Sequence, residues 1–158
     1  MKKQTLWFMI PMTIFYAFAI GISAMALTWI DKLEKIACKC SEDFKRDYIK
    51  YFLYVYVIIL ALAYFNTLLV VFEWNGKLHK ILQKLLRVLI FFVPIALLLN
   101  SIFSIIYIHQ LKEVNCKCSE DVRREIYYIV NWIHIGFIAL QILIGIFAAI
   151  FGVIIAKS

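Results

Sequence analysis

Four long stretches of the chain carry no Asp, Glu, Lys or Arg, and they cover residues 5–30, 51–72, 88–108 and 126–156. An apolar helix of about 20 residues crosses the roughly 30 Å hydrocarbon core of a bilayer. The stretches are continuously apolar and lack the two-residue alternation of a membrane barrel strand. Hydrophobic residues make up 65% of the chain, which exceeds the roughly 45–50% typical of soluble domains. The sequence therefore predicts an all-α membrane protein with four transmembrane helices in a single membrane domain, residues 1–158.

The hexapeptide CKCSED occurs twice, at residues 38–43 and 116–121. The two copies are 78 residues apart, and the same offset aligns Leu33 with Leu111 and Arg46 with Arg124. It also aligns the first two apolar stretches with the last two. We interpret this pattern as two tandem helical hairpins, about 5–72 and 83–156, related by a pseudo-two-fold axis along the membrane normal. Hairpins of the same orientation place both hexapeptides on one face of the membrane.

The start of the chain also has features of a secretory signal, namely two lysines, an apolar core and the small-residue pattern AMA at 24–26. Removal of this segment would leave the first hairpin without its first helix. We therefore expect the segment to be retained as a transmembrane helix.

Each hexapeptide predicts the start of a helix. Ser41 and Ser119 are candidate N-caps, because a serine hydroxyl can accept a hydrogen bond from a free backbone N–H of the first turn. The acids that follow them suit the positive end of the helix dipole. Helices that begin here are longer than the hydrocarbon core, so we expect them to project from the bilayer. Four basic residues would then face a partner outside the membrane: Lys45, Arg46, Arg123 and Arg124.

All four cysteines lie in the two hexapeptides: Cys38, Cys40, Cys116 and Cys118. Structural disulfides between the two loops are the favoured interpretation, with no cofactor. Two alternatives stay open: a tetrahedral Zn²⁺ bound by four thiolates, and a dithiol–disulfide pair with redox activity. Free thiols are the remaining possibility. The sequence does not decide which cysteines pair.

The segment at about 75–88 predicts a basic amphipathic connector, because its apolar residues recur with helical period. Its basic residues are expected to contact anionic lipid headgroups: Lys77, Lys80, Lys84 and Arg87. The cysteine loops are also rich in Lys and Arg, so the positive-inside rule leaves the topology open. Anchoring at the membrane edge accounts for the net charge of +7, and we expect no nucleic-acid partner.

The last apolar stretch carries a stripe of polar and small residues at helical spacing: Asn131, His134, Gln141, Gly145 and Gly152. Such stripes are typical of helix-packing interfaces in membranes, either within one chain or in a homo-oligomer. An ionisable His134 is also a candidate for proton or ion passage. Aromatic residues near the ends of the stretches, Trp29 among them, predict interfacial belts.

The segments CKCSEDFKRDYIKYF and CKCSEDVRREIYYI enter the second and fourth stretches. This combination resembles short multi-pass membrane proteins of large nucleocytoplasmic DNA viruses. The second copy departs from the pattern, because Val122 stands where the first has Phe44. The resemblance implies a structural protein of the virion internal membrane, a minor capsid protein that links the membrane to a protein shell and contacts other virion or membrane proteins.

The rest of the chain contains no H-E-x-x-H, no phosphate-binding loop and no G-x-S-x-G, so we expect no enzymatic activity. Two alternatives to a structural role follow from the residues. The cysteines suit a membrane thiol–disulfide oxidoreductase, and the duplicated hairpin with His134 suits a small channel or transporter.

Overall fold

The computed structural model describes residues 3–72 and 76–157, and it describes side chains for these residues except 3–8, 77, 78, 90 and 148–157. The described chain is helical and contains no strand. Its elements are α1 (Lys3–Lys35), a 3₁₀ turn (Lys39–Ser41), α2 (Phe44–Val71), α3 (Lys77–Glu113), a second 3₁₀ turn (Lys117–Ser119) and α4 (Val122–Lys157).

Four helices are long and apolar enough to cross a membrane, which confirms the predicted class. The crossing segments are Met9–Lys35, Phe44–Val71, Phe91–Glu113 and Val122–Phe147. At the end next to the hexapeptides, each segment runs past the charge that bounded the predicted stretch, because a helix continues until its backbone is capped, whereas an apolar stretch ends at the first charge. The helices have 33, 28, 37 and 36 residues. At 1.5 Å per residue they are roughly 40–55 Å long, so each extends beyond the hydrocarbon.

The helices form a bundle in which α1 packs against α2 and α4, and α3 packs against α2 and α4. The buried apolar residues concentrate in the half of the bundle next to the cysteines. They include Ala26, Trp29, Ile30, Leu33, Ile49, Leu53, Tyr107, Ile108, Leu111 and Tyr127. This packing holds the four helix ends together where the two hexapeptides lie. We call that end, which carries residues 36–43 and 114–121, the cysteine end.

Most other large apolar side chains point outward, among them Phe15, Ile58, Phe91 and Phe137. An outward apolar surface on helices of this length is consistent with contact with the lipid bilayer. The protein is therefore an integral membrane protein.

The predicted connector at about 75–88 does not form a helix of its own. From Lys77 onward it is the first part of α3, which continues past Pro94 to Glu113. Lys80, Lys84 and Arg87 are exposed along this part of α3, as a headgroup contact requires. The side chain of Lys77 lies outside the described part, as does residue 75.

The polar stripe of α4 divides into two parts. Asn131 is buried and His134 is half-buried, whereas Gln141 and Gly145 are exposed. Apart from its chain neighbours and the nearby backbone of α4, no described atom comes within 4 Å of a Cβ built on Gly145. Among the side chains that the structure describes, none therefore makes the packing contact predicted for Gln141 and Gly145, and the predicted contact with a second copy stays a prediction. For Gly152 the structure describes the backbone but not the burial.

Candidate functional site

The ends of α1 and α3 have the same backbone geometry. After α1, Ala37 adopts a positive φ of 46°. The amide of Cys38 then donates to the carbonyl of Leu33, and that of Ala37 donates to Glu34. This is the Schellman arrangement, which satisfies the last carbonyls of a helix. Asn115 has a φ of 48° and repeats the bonds after α3. The reversal of the chain places Cys38 and Cys116 against the buried core.

A single 3₁₀ turn follows each of these reversals. The hydroxyl of Ser41 donates to the carbonyl of Cys38 at 2.7 Å, and the hydroxyl of Ser119 donates to that of Cys116 at 2.7 Å. Both serines are fully buried. They stabilise the loop that carries the cysteines.

The N-caps of the following helices are the aspartates of the hexapeptides and not the serines. The carboxylate of Asp43 accepts from the amide of Lys45 at 2.8 Å, and that of Asp121 accepts from the amide of Arg123 at 3.0 Å. The cap prediction for Ser41 and Ser119 is therefore wrong in position by two residues. Ser and Asp are equally good caps, and here the 3₁₀ turn has already engaged the serine hydroxyl.

The four cysteines form two crossed disulfides between the loops, Cys38–Cys118 and Cys40–Cys116. The Cα atoms lie 6.0 and 5.9 Å apart, within the usual span of a disulfide. Each bond joins one buried cysteine to one exposed cysteine. The predicted link between the loops is present. The pairing itself, in which the first cysteine of one loop bonds the second cysteine of the other, was left open by the sequence.

Two aromatic side chains add hydrogen bonds across the loops. The indole N–H of Trp29 on α1 donates to the carbonyl of Ser119 at 3.2 Å. The hydroxyl of Tyr107 on α3 donates to the carbonyl of Ser41 at 2.8 Å. Trp29 is 0% exposed and Tyr107 is 1% exposed, so Trp29 does not face lipid headgroups as a residue of an interfacial belt would. Each aromatic satisfies a buried loop carbonyl that would otherwise lack a partner.

Ion pairs surround the loops and connect different helices. Lys32 of α1 pairs with Asp121 at 2.8 Å, and Lys112 of α3 pairs with Glu125 of α4 at 2.6 Å. Lys50 of α2 contacts two acids of α1, Asp31 and Glu34. These charges therefore serve contacts within the bundle.

The four residues expected to face a partner take part in this internal network to different degrees. Arg124 is 8% exposed and donates to the hydroxyl of Ser119, so its expected role as a partner contact is wrong. Lys45 donates to Asp43 and to Gln110. Arg46 pairs with Asp47 and Arg123 pairs with Asp121. These three are half-buried.

The two capping carboxyls have lowered pKa values. Hydrogen bonds from the Arg123 guanidinium, with further ones from Lys32, hold the pKa of Asp121 well below its usual range against the opposing effect of burial. Burial raises the pKa of Asp43, but hydrogen bonds from the amide and ammonium of Lys45 outweigh it and leave that pKa below its ordinary value. Both caps are therefore ionised at neutral pH.

The outer surface of the cysteine end is formed by the loops themselves. Besides Ala37, Asn115 and two of the cysteines, its exposed residues comprise charges of both signs and two large apolar side chains: Ile36, Lys39, Glu42, Val114, Lys117 and Glu120. Sequence reasoning did not predict these residues as a surface for a partner. Their position in the sequence could have identified them, because they lie within each hexapeptide or in the chain reversal just before it. In such a short turn, side chains point outward when the neighbouring serines are buried.

The fold and this site define an all-α membrane protein with four apolar helices whose polar ends are joined by two disulfides. Comparison with protein-family models, with curated proteins and with solved structures found no match for this chain.

Proposed function

We propose that this chain is a structural membrane protein whose cysteine end docks onto a protein layer next to the membrane. The observation that carries the proposal is the pair of crossed disulfides between the two loops. They join the ends of all four helices into one covalently closed unit. Such a unit presents its outer residues at fixed spacing, which lowers the entropic cost of binding a partner.

The docking surface in this proposal comprises the exposed loop residues and not the arginines of α4. Lys39 and Lys117 carry positive charge at corresponding positions of the two loops, and Glu42 and Glu120 carry negative charge three residues later. A partner with acidic and basic groups in alternation would complement this pattern. Ile36 and Val114, which are 48% and 62% exposed, provide apolar contacts at the rim.

The resemblance of the CKCSED segments to membrane proteins of large nucleocytoplasmic DNA viruses suggests which layer this is. We propose a virion internal membrane, with the capsid as the protein layer and this chain as a minor capsid protein. A repeated hairpin of one orientation would place both loops toward that layer. The exposed half of α4 offers a contact for a second copy or for another virion membrane protein.

Site-specific photocrosslinking in purified particles tests the proposal. A photoreactive amino acid is placed at Lys39 or Lys117, and the matched control carries it at Lys80, which is also exposed but lies near the start of α3. Crosslinks to a shell protein from the two loop positions and not from Lys80 would support docking by the cysteine end. Absence of the chain from purified particles, or equal crosslinking from Lys80, would contradict it.

A thiol-based function is the second candidate, because all four sulfurs lie within 4.8 Å of one another. The Sγ atoms of Cys40 and Cys118 are 3.3 Å apart without being bonded to each other, and both residues are exposed. An external thiolate could reach them and form a mixed disulfide. If both disulfides were reduced, four thiolates at this spacing would suit Zn²⁺, whose tetrahedral thiolate ligands are about 3.8 Å apart.

Mass mapping of the cysteines without reductant, together with a metal assay, separates these candidates. The structural role predicts two inter-loop disulfides and no bound zinc. One zinc per chain with four free thiols would favour the metal site. A mixture of oxidised and reduced chains that changes with an added dithiol, without loss of the folded state, would favour exchange.

A further inference from the structure

A cavity of about 350 Å³ lies inside the bundle, at the depth of the crossing segments. All four helices line it. Its size is at the lower end of the roughly 300–1,000 Å³ of small-molecule sites. It is separate from the cysteine end, so an inference from it does not rest on the proposed function.

The walls of the cavity are apolar and open toward the lipid. Phe15 and Phe18 of α1 line it, as do Ile133 and Phe137 of α4. Each of these side chains is more than half exposed. The mouth of the cavity therefore lies between α1 and α4, where a lipid tail can enter sideways from the bilayer.

The inner end of the cavity is polar. Asn100, Ser101 and Tyr127 line it, and the amide nitrogen of Asn100 donates to the Tyr127 hydroxyl at 3.1 Å. The hydroxyl of Ser101 bonds to Nδ1 of His134 at 2.8 Å. Polar groups at this depth are costly and mark functional sites in membrane proteins.

One polar atom of this group has no partner among the described residues. Asn100 is 4% exposed, and its Oδ1 is buried without a hydrogen bond. A buried carbonyl oxygen without a donor costs about 1–3 kcal/mol. If the amide is turned over, Tyr127 can donate to the oxygen and the nitrogen lacks a partner instead. In either orientation one position is unpaired. It is closed to a water-sized group in this structure, so the Asn100 side chain has to shift toward the cavity before a hydroxyl, which both donates and accepts, can fill it.

We propose that this cavity binds a neutral lipid through a single hydroxyl group, with the hydroxyl at Asn100 and the apolar body between α1 and α4. No Asp, Glu, Lys or Arg of the described residues lines the cavity. A charged headgroup at this depth would meet no fixed counter-charge, because the lining residue His134 is engaged by Ser101 through Nδ1, and it is therefore disfavoured as the ligand. Sterols and diacylglycerols both have the required chemistry.

Photolabelling of the full chain in lipid nanodiscs tests the proposal. Two probes are used, a photoactivatable alkyne-bearing sterol with a free hydroxyl and a diacylglycerol analogue of the same design. We expect saturable labelling by one or both probes, mapped to α1 near Phe18 and to α4 near Ile133. The probe that labels identifies the source of the hydroxyl. If neither probe gives saturable labelling, the proposal is overturned.

Competition measures the contribution of the hydroxyl without any change to the protein. The unlabelled lipid should compete about tenfold better than its methyl ether, since the ether can no longer donate to Asn100. Equal competition by the two would overturn the assignment of the hydroxyl to this position.

Variants with matched controls locate the site. Ala19→Trp fills the cavity from α1 and should lower labelling about tenfold, whereas Ala61→Trp adds the same bulk to an exposed position of α2 and should not. Asn100→Leu should abolish the preference for hydroxyl over ether. Asn66→Leu, which removes another amide with an unpartnered oxygen outside the cavity lining, should keep it. If Ala19→Trp is labelled as strongly as the wild type, the proposal is overturned, even if Asn100→Leu does not fold.

Discussion

The crossed disulfides make a specific prediction about how their contributions to stability combine. Three variants are compared with the wild type: Cys38→Ala with Cys118→Ala, Cys40→Ala with Cys116→Ala, and the variant without any cysteine. Each of the first two removes one buried and one exposed cysteine, so the loss of packing is matched. Because whole pairs are removed, no single thiol is left to form a new bond.

The magnitudes follow from the lengths of the rings that the bonds close. Cys38 and Cys118 are 80 residues apart and Cys40 and Cys116 are 76 apart. Either bond alone closes a long loop, which stabilises the fold by about 4.5 kcal/mol in the chain-entropy description. With one bond present, the other closes a ring of only about four residues, worth about 2 kcal/mol. Removing one bond should therefore cost about 2 kcal/mol, and removing both about 6 kcal/mol.

The assay is reversible unfolding in mixed micelles of a mild and a denaturing detergent. It is followed by tryptophan fluorescence in a background with Trp7, Trp74 and Trp132 replaced by Phe, so that the signal comes from Trp29, which is buried beside the loops. Mass mapping of each variant verifies that the remaining disulfide has formed. Single-pair costs that sum to the cost of the full replacement would refute the shared-ring reasoning. Mapping of Cys38 to Cys116 in the wild type would refute the crossed pairing itself.

Three further predictions concern the loops around the disulfides. Ala37→Gly should stabilise the protein by about 1 kcal/mol, because glycine adopts the left-handed conformation without the steric cost that alanine carries, whereas Asn115→Gly should change stability less. Tyr107→Phe should cost about 1–2 kcal/mol by leaving a buried loop carbonyl unpaired, and the exposed Tyr51→Phe serves as its control. The lowered pKa of Asp121 makes its ion pairs contribute fully above about pH 5, and this stability should be lost as the pH falls below about 4, toward the pKa of the folded state. Unfolding in mixed micelles as a function of pH measures the last effect, and Asp121→Asn should remove it.

Different outcomes would count against each of these predictions. A loss of stability in Ala37→Gly would mean that the reversal after α1 does not use a left-handed residue. Equal stability of Tyr107→Phe and Tyr51→Phe would mean that the inter-loop hydrogen bond is not formed. A pH dependence in Asp121→Asn equal to that of the wild type would assign the acid transition to other carboxyls.

The helix starts illustrate how far local rules reach. The sequence places an N-cap within each hexapeptide, and the structure has one there. Ser41 and Asp43 both satisfy the preference for an N-cap, and the choice between them depends on the 3₁₀ turn that uses the serine hydroxyl. That turn exists because the Schellman reversal at Ala37 directs the chain back toward the bundle, and neither Ala37 nor Asn115 is the glycine that normally signals such a reversal.

Arg124 and Trp29 were misplaced for a related physical reason. Sequence position puts both near the ends of membrane helices, where charged and aromatic side chains usually meet headgroups or water. The two loops fold over the helix ends and bury these side chains, and loop carbonyls or hydroxyls then become their partners. A rule based on depth in the membrane cannot predict burial by a loop that comes from the other half of the chain.

The sequence by itself determined the class, the number of helices and the presence of all four cysteines in two matching turns, because hydropathy and repeated motifs depend only on the local order of residues. The tertiary structure decided which cysteines bond, which charges stay inside and that Asn100 lines a cavity. These properties depend on distances between residues that are far apart in the chain, and those distances are set by how four helices pack against one another.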